Sequence, residues 1–503
     1  MKSLKKRWID MPVAARSAIV FVISTFLIKG VTFLVTPIFT RLMPQEEYGV
    51  VATYNSWVTI LEVFALLGLT SAGVFNVGLK DHKEQRSEYL ASVLALCNVV
   101  TIVFFGILFA AQMISGQEFI LSNNLLFLMT LRMLFSPAQV FWITRQKYEY
   151  RYKIPALLTI VSAIFSQIIS IIAVYFYTGD NVAEIKLWSG NLVVIACSLP
   201  IYFHIFIKGR KSKILSYWKK ILILALPLIP HYLAQHIMSS ADKIMLEKMI
   251  APVEEGLRQV AIYSVVANMG LIASILWGAL NGSLVPYVFD KLDNKEYNVL
   301  NKTTIALLAV YGLLCVAVSL VAPEIMKILA PKKYFEGISA VPPIVCTAFL
   351  TAGYNVFANV EFYHKKTGWI AFSTIVATLV NIGLNIWLIP RFGFSGAAYT
   401  TLISYVVLLA MHFWGYRQAS RKEKVFKDCL LLAVMGACVA LCIASRLLYS
   451  YIVIRYILLG AGLFLGLWKR KTLFALFRRK TKQQPLQELR TEAVETEGTN
   501  TNE

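Results

Sequence analysis

Four ionisable side chains stand inside long apolar runs of this chain: Lys29, Glu62, Arg132 and Asp242. A charge at the centre of a membrane-length helix costs roughly 2.5–3.5 kcal/mol on insertion scales. Such residues mark a path for a charged substrate or an ion relay by default, and the plainer alternative is two structural ion pairs. The neighbouring polar residues give the first of them a context. In STFLIKGVTFLVTPIFTRL, residues 24–42, Thr25, Lys29, Thr32, Thr36 and Thr40 are spaced four, three, four and four apart, the period of one helical face.

Other runs carry similar stripes. Asn55, Thr59 and Glu62 share a face, as do Arg132, Ser136 and Gln139. His231, Gln235, Ser239 and Asp242 fall within roughly a quarter of a helix circumference at about 100° per residue. Thr351, Asn355 and Asn359, with Glu361 nearby, form another stripe, and Thr374, Thr378, Asn381 and Asn385 a fifth. Unpaired polar groups facing lipid cost free energy, so these stripes must meet each other or water. For the hydroxyl and amide positions, interhelical hydrogen bonds and cavity lining are both open, and Asn381 and Asn385 suit tying helices together. Glu62, His231, Asp242 and Glu361 are the candidates for ion coupling or for bridging the two halves. His231 and His236 do not share a face, and the seven cysteines lie in apolar segments without a CxxC pair, so neither a metal site nor a disulfide is expected.

The elements that hold these residues follow from composition. Of 503 residues 57% are hydrophobic and 15% charged, and the mean hydropathy is +0.63. That much apolar surface must face lipid, and 13% aromatic content suits interfacial belts. The first run is too long for a signal peptide and lacks a cleavage pattern, so it is expected to stay as a span. The expected fold is an all-α integral membrane protein of about fourteen transmembrane helices, the second near 50–77, the eleventh and twelfth near 369–390 and 395–416, the last two near 426–448 and 450–468.

The net charge of +21 is concentrated in every second loop, the mark of cytoplasmic loops rather than of a nucleic-acid groove. Both termini are therefore expected on the cytoplasmic side. The loop with Lys327, Lys332 and Lys333 departs from the alternation. Polar loops with paired acids precede tyrosine-containing helices at TRLMPQEEYG and again at LEKMIAPVEEG, which suggests two six-helix lobes related by an internal repeat. The expected organisation is a lobe over 1–207, a basic linker 208–220, a lobe over 221–416, two further helices with their basic loop over 417–468, and a basic then polar, disordered tail 469–503. Pro37, Pro137, Pro227, Pro230 and Pro286 lie in or beside spans and permit kinks. No Walker loop, GxSxG or HExxH occurs, and no sizeable soluble domain is evident, so neither an enzyme, a bound cofactor nor an on-chain ATPase is expected.

Residues 378–407, TLVNIGLNIWLIPRFGFSGAAYTTLISYVV, resemble the signature of polysaccharide flippases, through Asn381, Asn385, Ile389-Pro390, Gly393 and Gly396-Ala397-Ala398. LVTPIFTRLMPQEEYGVVATYNSW and SSADKIMLEKM are similar to two further regions of that family. The family is the Wzx-type branch of the multidrug/oligosaccharidyl-lipid/polysaccharide exporter superfamily. The resemblance implies a flippase that moves an undecaprenyl-diphosphate-linked oligosaccharide across the bacterial inner membrane, as in O-antigen or capsule assembly. Membrane lipids, a proton or sodium ion and polymerase or glycosyltransferase machinery are the partners it implies. Lys29 and Arg41 resemble the cations that related lipid II flippases carry in and at the end of the first helix. With Arg132, Asn355 and Asn359 they are the expected substrate contacts, cations for the diphosphate and amides for sugar hydroxyls. The alternative is a cation-coupled exporter of small amphipathic molecules from the same superfamily.

Overall fold

Apolar runs become helices here, and the turn residues between them decide where each one stops. The computed structural model describes residues 11–70, 73–210, 214–420 and 423–468. The N-terminal cations Lys2, Lys5, Lys6 and Arg7, the linker centre 211–213 and the tail 469–503 lie outside the described residues. The described secondary structure is helical throughout: α1 (Val13–Leu42), α2 (Gln45–Leu66), α3 (Val74–Asp81), α4 (Arg86–Ser115), α5 (Asn123–Tyr148), α6 (Lys153–Phe176), α7 (Val182–Lys208), α8 (Trp218–Ala225), α9 (Ile229–Met249), α10 (Val253–Asp293), α11 (Tyr297–Leu320), α12 (Ala322–Leu329), α13 (Val341–Tyr363), α14 (Thr367–Ala419), α15 (Asp428–Ala444) and α16 (Ile452–Trp468).

Eleven of the described helices are long and apolar enough to cross a membrane, or twelve if the bent pair α8–α9 counts as one span. The difference from the expected fourteen has physical causes. At 1.5 Å per residue the 53 residues of α14 would reach about 80 Å, far beyond a hydrocarbon core of about 30 Å. The helix is instead broken at Gly393, so α14 contains both expected spans. The α8–α9 pair bends by 53° where Pro227 and Pro230 remove backbone donors. The last helix, α16, is only 17 residues long. The second span also ends early, at Leu66 rather than 77, because Leu67 and Gly68 turn the chain at positive φ. The apolar residues around this turn hide it from hydropathy.

Residues up to Ile452 form one compact unit, and Val453 onward a second. Inside the first unit the apolar cores segregate. One core runs through α10, α11, α13, α14 and α15 and includes Trp277, Tyr311, Phe349 and Phe357. Two others belong to the first half, around Tyr54 and Met129 and around Phe75 and Phe141. Ile221 and Ala225 of α8 pack into this last core, while α9 lies between α14 and α10 on one side and α2 on the other, with Leu233, Ile237 and Ile244 against the core around Tyr54.

Candidate substrate and ion sites

Gly393 builds the most polar cluster in the second half. Its backbone, at φ 54° and ψ −137°, lies where only glycine sits without strain. The Gln259 amide oxygen on α10 accepts the Phe394 N–H at 3.0 Å, and a β-carbon on Gly393 would lie 2.0 Å from that oxygen. The reversal sets Asn381 and Asn385, on the outgoing part of α14, against Thr400 and Thr401 on the returning part.

Asp242 of α9 closes this cluster and is 3% exposed. Its Oδ2 accepts from the Tyr263 hydroxyl at 2.6 Å and the Thr401 hydroxyl at 2.5 Å, and its Oδ1 accepts from the Asn385 amide at 2.7 Å. Asn385 also donates to the Asn381 amide oxygen at 3.2 Å and accepts from the Thr400 hydroxyl. The carboxylate is thus held by neutral donors, and no ion pair reaches it among the described residues. Among those residues no three His, Cys, Asp or Glu side chains converge as a metal site. Carboxylate, amide and hydroxyl oxygens are the ligands of a proton or a hard cation, and a broken membrane helix is the usual frame for such a site.

Glu361 and His412 form a second buried pair, 0% and 1% exposed, with Nδ1 at 2.8 Å from Oε2. The Tyr354 ring stacks on His412 at 5.2 Å. The other Glu361 oxygen is buried and unpartnered among the described residues, as is Nδ1 of His231, which lies within electrostatic reach of His412.

In the first half, Arg132 of α5 donates to the Asn191 Oδ1 of α7 at 2.7 Å, and Asn191 donates onward to the Leu187 carbonyl at 2.7 Å. Glu62 and Tyr54 of α2 both lie within electrostatic reach of this guanidinium. None of Lys29, Glu62, Arg132 and Asp242 has an ion-pair partner within 4 Å among the described residues, so the structural ion pairs weighed above do not form. Lys29 is half-buried on α1, a helix whose most apolar stretch is only 6% buried. Asn359 donates weakly to Asn281 of α10 at 3.3 Å, and Asn355 is half-buried without a hydrogen bond among the described residues.

Arg41 sits elsewhere. It donates to the carbonyls of Pro37 and Lys327 at 2.8 and 3.4 Å, about 18 Å along the helix from Lys29. It belongs to a seam that joins the two halves at one end of the helices. There Thr40 donates to the Leu329 carbonyl at 2.8 Å, Gln45 to the Lys333 carbonyl at 3.1 Å, and Asn268 to the Thr36 hydroxyl at 3.1 Å. The rings of Tyr48 and Tyr334 meet edge to face at 6.4 Å. The loops at 82–85, 149–152, 294–296 and 364–366 lie at the other, basic end.

A profile of the family described as polysaccharide biosynthesis protein matches residues 14–291. The chain belongs to that family. It is 24% identical over 372 residues to an uncharacterized membrane protein of Haemophilus influenzae, covering 72% of this chain and 87% of that one. It is 23% identical over 446 residues to a membrane protein of Methanocaldococcus jannaschii, covering 82% and 86%. Its fold is similar to that of the lipid II flippase MurJ in an inward closed conformation, with TM-score 0.63, 15% identity, and 90% of this chain and 100% of that one covered. It is also similar to an inward-facing multidrug resistance MATE family transporter of the MOP superfamily, with TM-score 0.56, 16% identity, and 77% and 94% covered. The resemblance to this family is thereby borne out, over a match that takes in LVTPIFTRLMPQEEYG and SSADKIMLEKM but not residues 378–407, and this member of the family is a multi-pass membrane protein.

The expected site residues do not form one site. Arg132 and Glu62 lie within electrostatic reach of each other in the first half, while Asp242 and the Glu361–His412 pair occupy the second. Sequence reading missed His412, Asn191, Tyr263 and Thr401 as partners. His412 is the lone histidine in the run 395–416, and that was its only sign in the sequence.

Proposed function

We propose that the chain is a flippase for a lipid-diphosphate-linked oligosaccharide, moved from the cytoplasmic to the outer leaflet during surface polysaccharide assembly. One observation carries this reading: Arg132, held by the neutral amide of Asn191, has no ion-pair partner within 4 Å among the described residues, with Glu62 within electrostatic reach only. An unpaired guanidinium offers a diphosphate charge-assisted, bidentate hydrogen bonds. Family membership favours a polysaccharide precursor over other anions. Lys29, on the loosely packed first helix, is the second cation, and Asn355 and Asn359 would meet sugar hydroxyls. The basic end would face the cytoplasm. The two halves would rock about the bound headgroup while the polyprenyl chain stays in lipid. Asp242, with its oxygen-rich surroundings, is the group to bind a proton or sodium ion as the halves move.

The cluster around Asp242 and the buried Glu361 also favour a second reading, a cation-coupled exporter of small amphipathic molecules. Depletion of the chain in its own cell separates the two. A flippase leaves a polyprenyl-diphosphate glycan accumulating on the inner leaflet, detected by mass spectrometry of extracted lipids. Unchanged lipid-linked glycans together with drug sensitivity would favour the exporter.

A further inference from the structure

At the basic end a cavity of about 570 Å³ opens between α4, α5, α6 and α7. Arg145, Arg151, Lys153, Lys208 and His204 line it beside Trp142, and among the described residues no lining side chain is acidic. Glu149, next to the lining residue Tyr150, is shared by three arginines: Arg145 at 3.0 Å, and Arg86 and Arg151 each at 3.6 Å. One carboxylate cannot balance three guanidiniums, and Lys153 and Lys208 have no ion-pair partner among the described residues. The site therefore holds a positive excess around an open cavity, with Arg151, Lys153 and Lys208 exposed at its mouth. It is 13 residues along α5 from Arg132, about 20 Å, and is separate from the proposed transport residues.

A second observation selects the ligand. Ile154 lines the cavity, and from it an apolar stripe descends the outside of α6 through Leu157, Val161, Phe165 and Ile168 at intervals of three, four, four and three. These side chains are 70%, 63%, 37%, 54% and 45% exposed. A soluble phosphate would use the cations and leave the stripe idle. A lipid uses both, because basic pockets between helices at the cytoplasmic side suit acidic headgroups.

We propose that this cavity binds the phosphate headgroup of an anionic phospholipid from the leaflet at the basic end, with its acyl chains laid along the exposed stripe of α6. The binding holds α6 and α7 to the membrane and needs no transported substrate, so it stands or falls independently of the flippase reading.

The full chain, purified and stripped of lipid, is titrated with phosphatidylglycerol or with phosphatidylcholine of the same acyl chains, and bound lipid is counted by native mass spectrometry. Phosphatidylglycerol should bind much more tightly. In the triple variant Arg151→Gln, Lys153→Gln, Lys208→Gln it should bind about a hundredfold more weakly, from a factor of roughly five per cation. All three side chains are exposed, and Arg145, which ties α4 to α5, is left in place. If the triple variant does not stay monodisperse, Lys153→Gln and Lys208→Gln are measured separately, each expected to lose about fivefold. Equal binding of the two lipids, or unchanged phosphatidylglycerol binding in the variants, would overturn the proposal. Displacement of bound phosphatidylglycerol by millimolar inorganic phosphate would overturn it too, since the site would then take a free anion.

Discussion

Gly49 of α2 lies directly against the backbone of Leu257 in α10: a β-carbon on Gly49 would stand 2.1 Å from the Leu257 carbonyl oxygen. The two halves of the chain touch at that point as closely as backbones can, and only hydrogen in place of a side chain permits it. Gly49→Ala must push the halves apart at the seam. Overpacking of this kind costs about 1–3 kcal/mol, enough to shift a two-state equilibrium by about 5–150-fold. The check is the labelling rate of a cysteine placed at the buried Gln45 by a membrane-impermeant maleimide, with the exposed native Cys429 removed. Labelling should be faster in the Gly49→Ala background. An unchanged rate would mean that this contact does not hold the seam shut.

Asp242→Asn distinguishes a working carboxylate from a structural one. Removing one partner of a buried ion pair strands the other charge and lowers stability by about 3–5 kcal/mol. Asp242 has no ion-pair partner within 4 Å among the described residues, and its bonds come from Tyr263, Thr401 and Asn385. The variant should therefore accumulate in the membrane at a near-normal level. Transport should slow and lose its dependence on the driving ion gradient. Unchanged transport at normal abundance would remove Asp242 from the mechanism.

The polar stripes, the all-helical architecture and the break between 390 and 395 were legible in the sequence, because periodicity and hydropathy are local properties. Partnership was not. Arg132 and Asn191 are 59 positions apart, Glu361 and His412 51, and Asp242 and Thr401 159. Only the register of packed helices brings such pairs together, and no spacing rule encodes it. The early end of α2 escaped for a different reason: Leu67 and Gly68 turn the chain inside an uninterrupted apolar run. Lys29 shows the converse, a residue easily found in sequence for which the described residues supply no partner.

Glu361 and His412 give a stability test with an internal control. His412→Ala leaves a carboxylate that is 0% exposed without its hydrogen bond, and should destabilise the chain by several kcal/mol, of the order of 3–5 kcal/mol if the pair is ionised. Membrane abundance and detergent-solubilised thermal stability should both fall. Adding Glu361→Gln to His412→Ala removes the charge and should recover part of the loss. A double variant no more stable than His412→Ala would show that the lost packing against Tyr354, not the charge, sets the cost.

Arg132 and Lys29 carry the sharpest functional test, because they differ in how they are held. Arg132 is oriented by Asn191, so geometry as well as charge should count. Arg132→Lys keeps the charge but loses the planar fork, and should retain only a small part of the export. Arg132→Ala should abolish it. Asn191→Ala leaves the guanidinium in place but unoriented, and should fall between wild type and Arg132→Ala. Lys29 has no orienting partner among the described residues, so charge alone should count there. Lys29→Arg should stay well above Lys29→Ala. Each variant is measured by surface polysaccharide, by inner-leaflet accumulation of the lipid-linked precursor, and by membrane abundance. If Arg132→Ala exports normally at normal abundance, the unpaired guanidinium is not a phosphate site and the flippase reading loses its carrying observation.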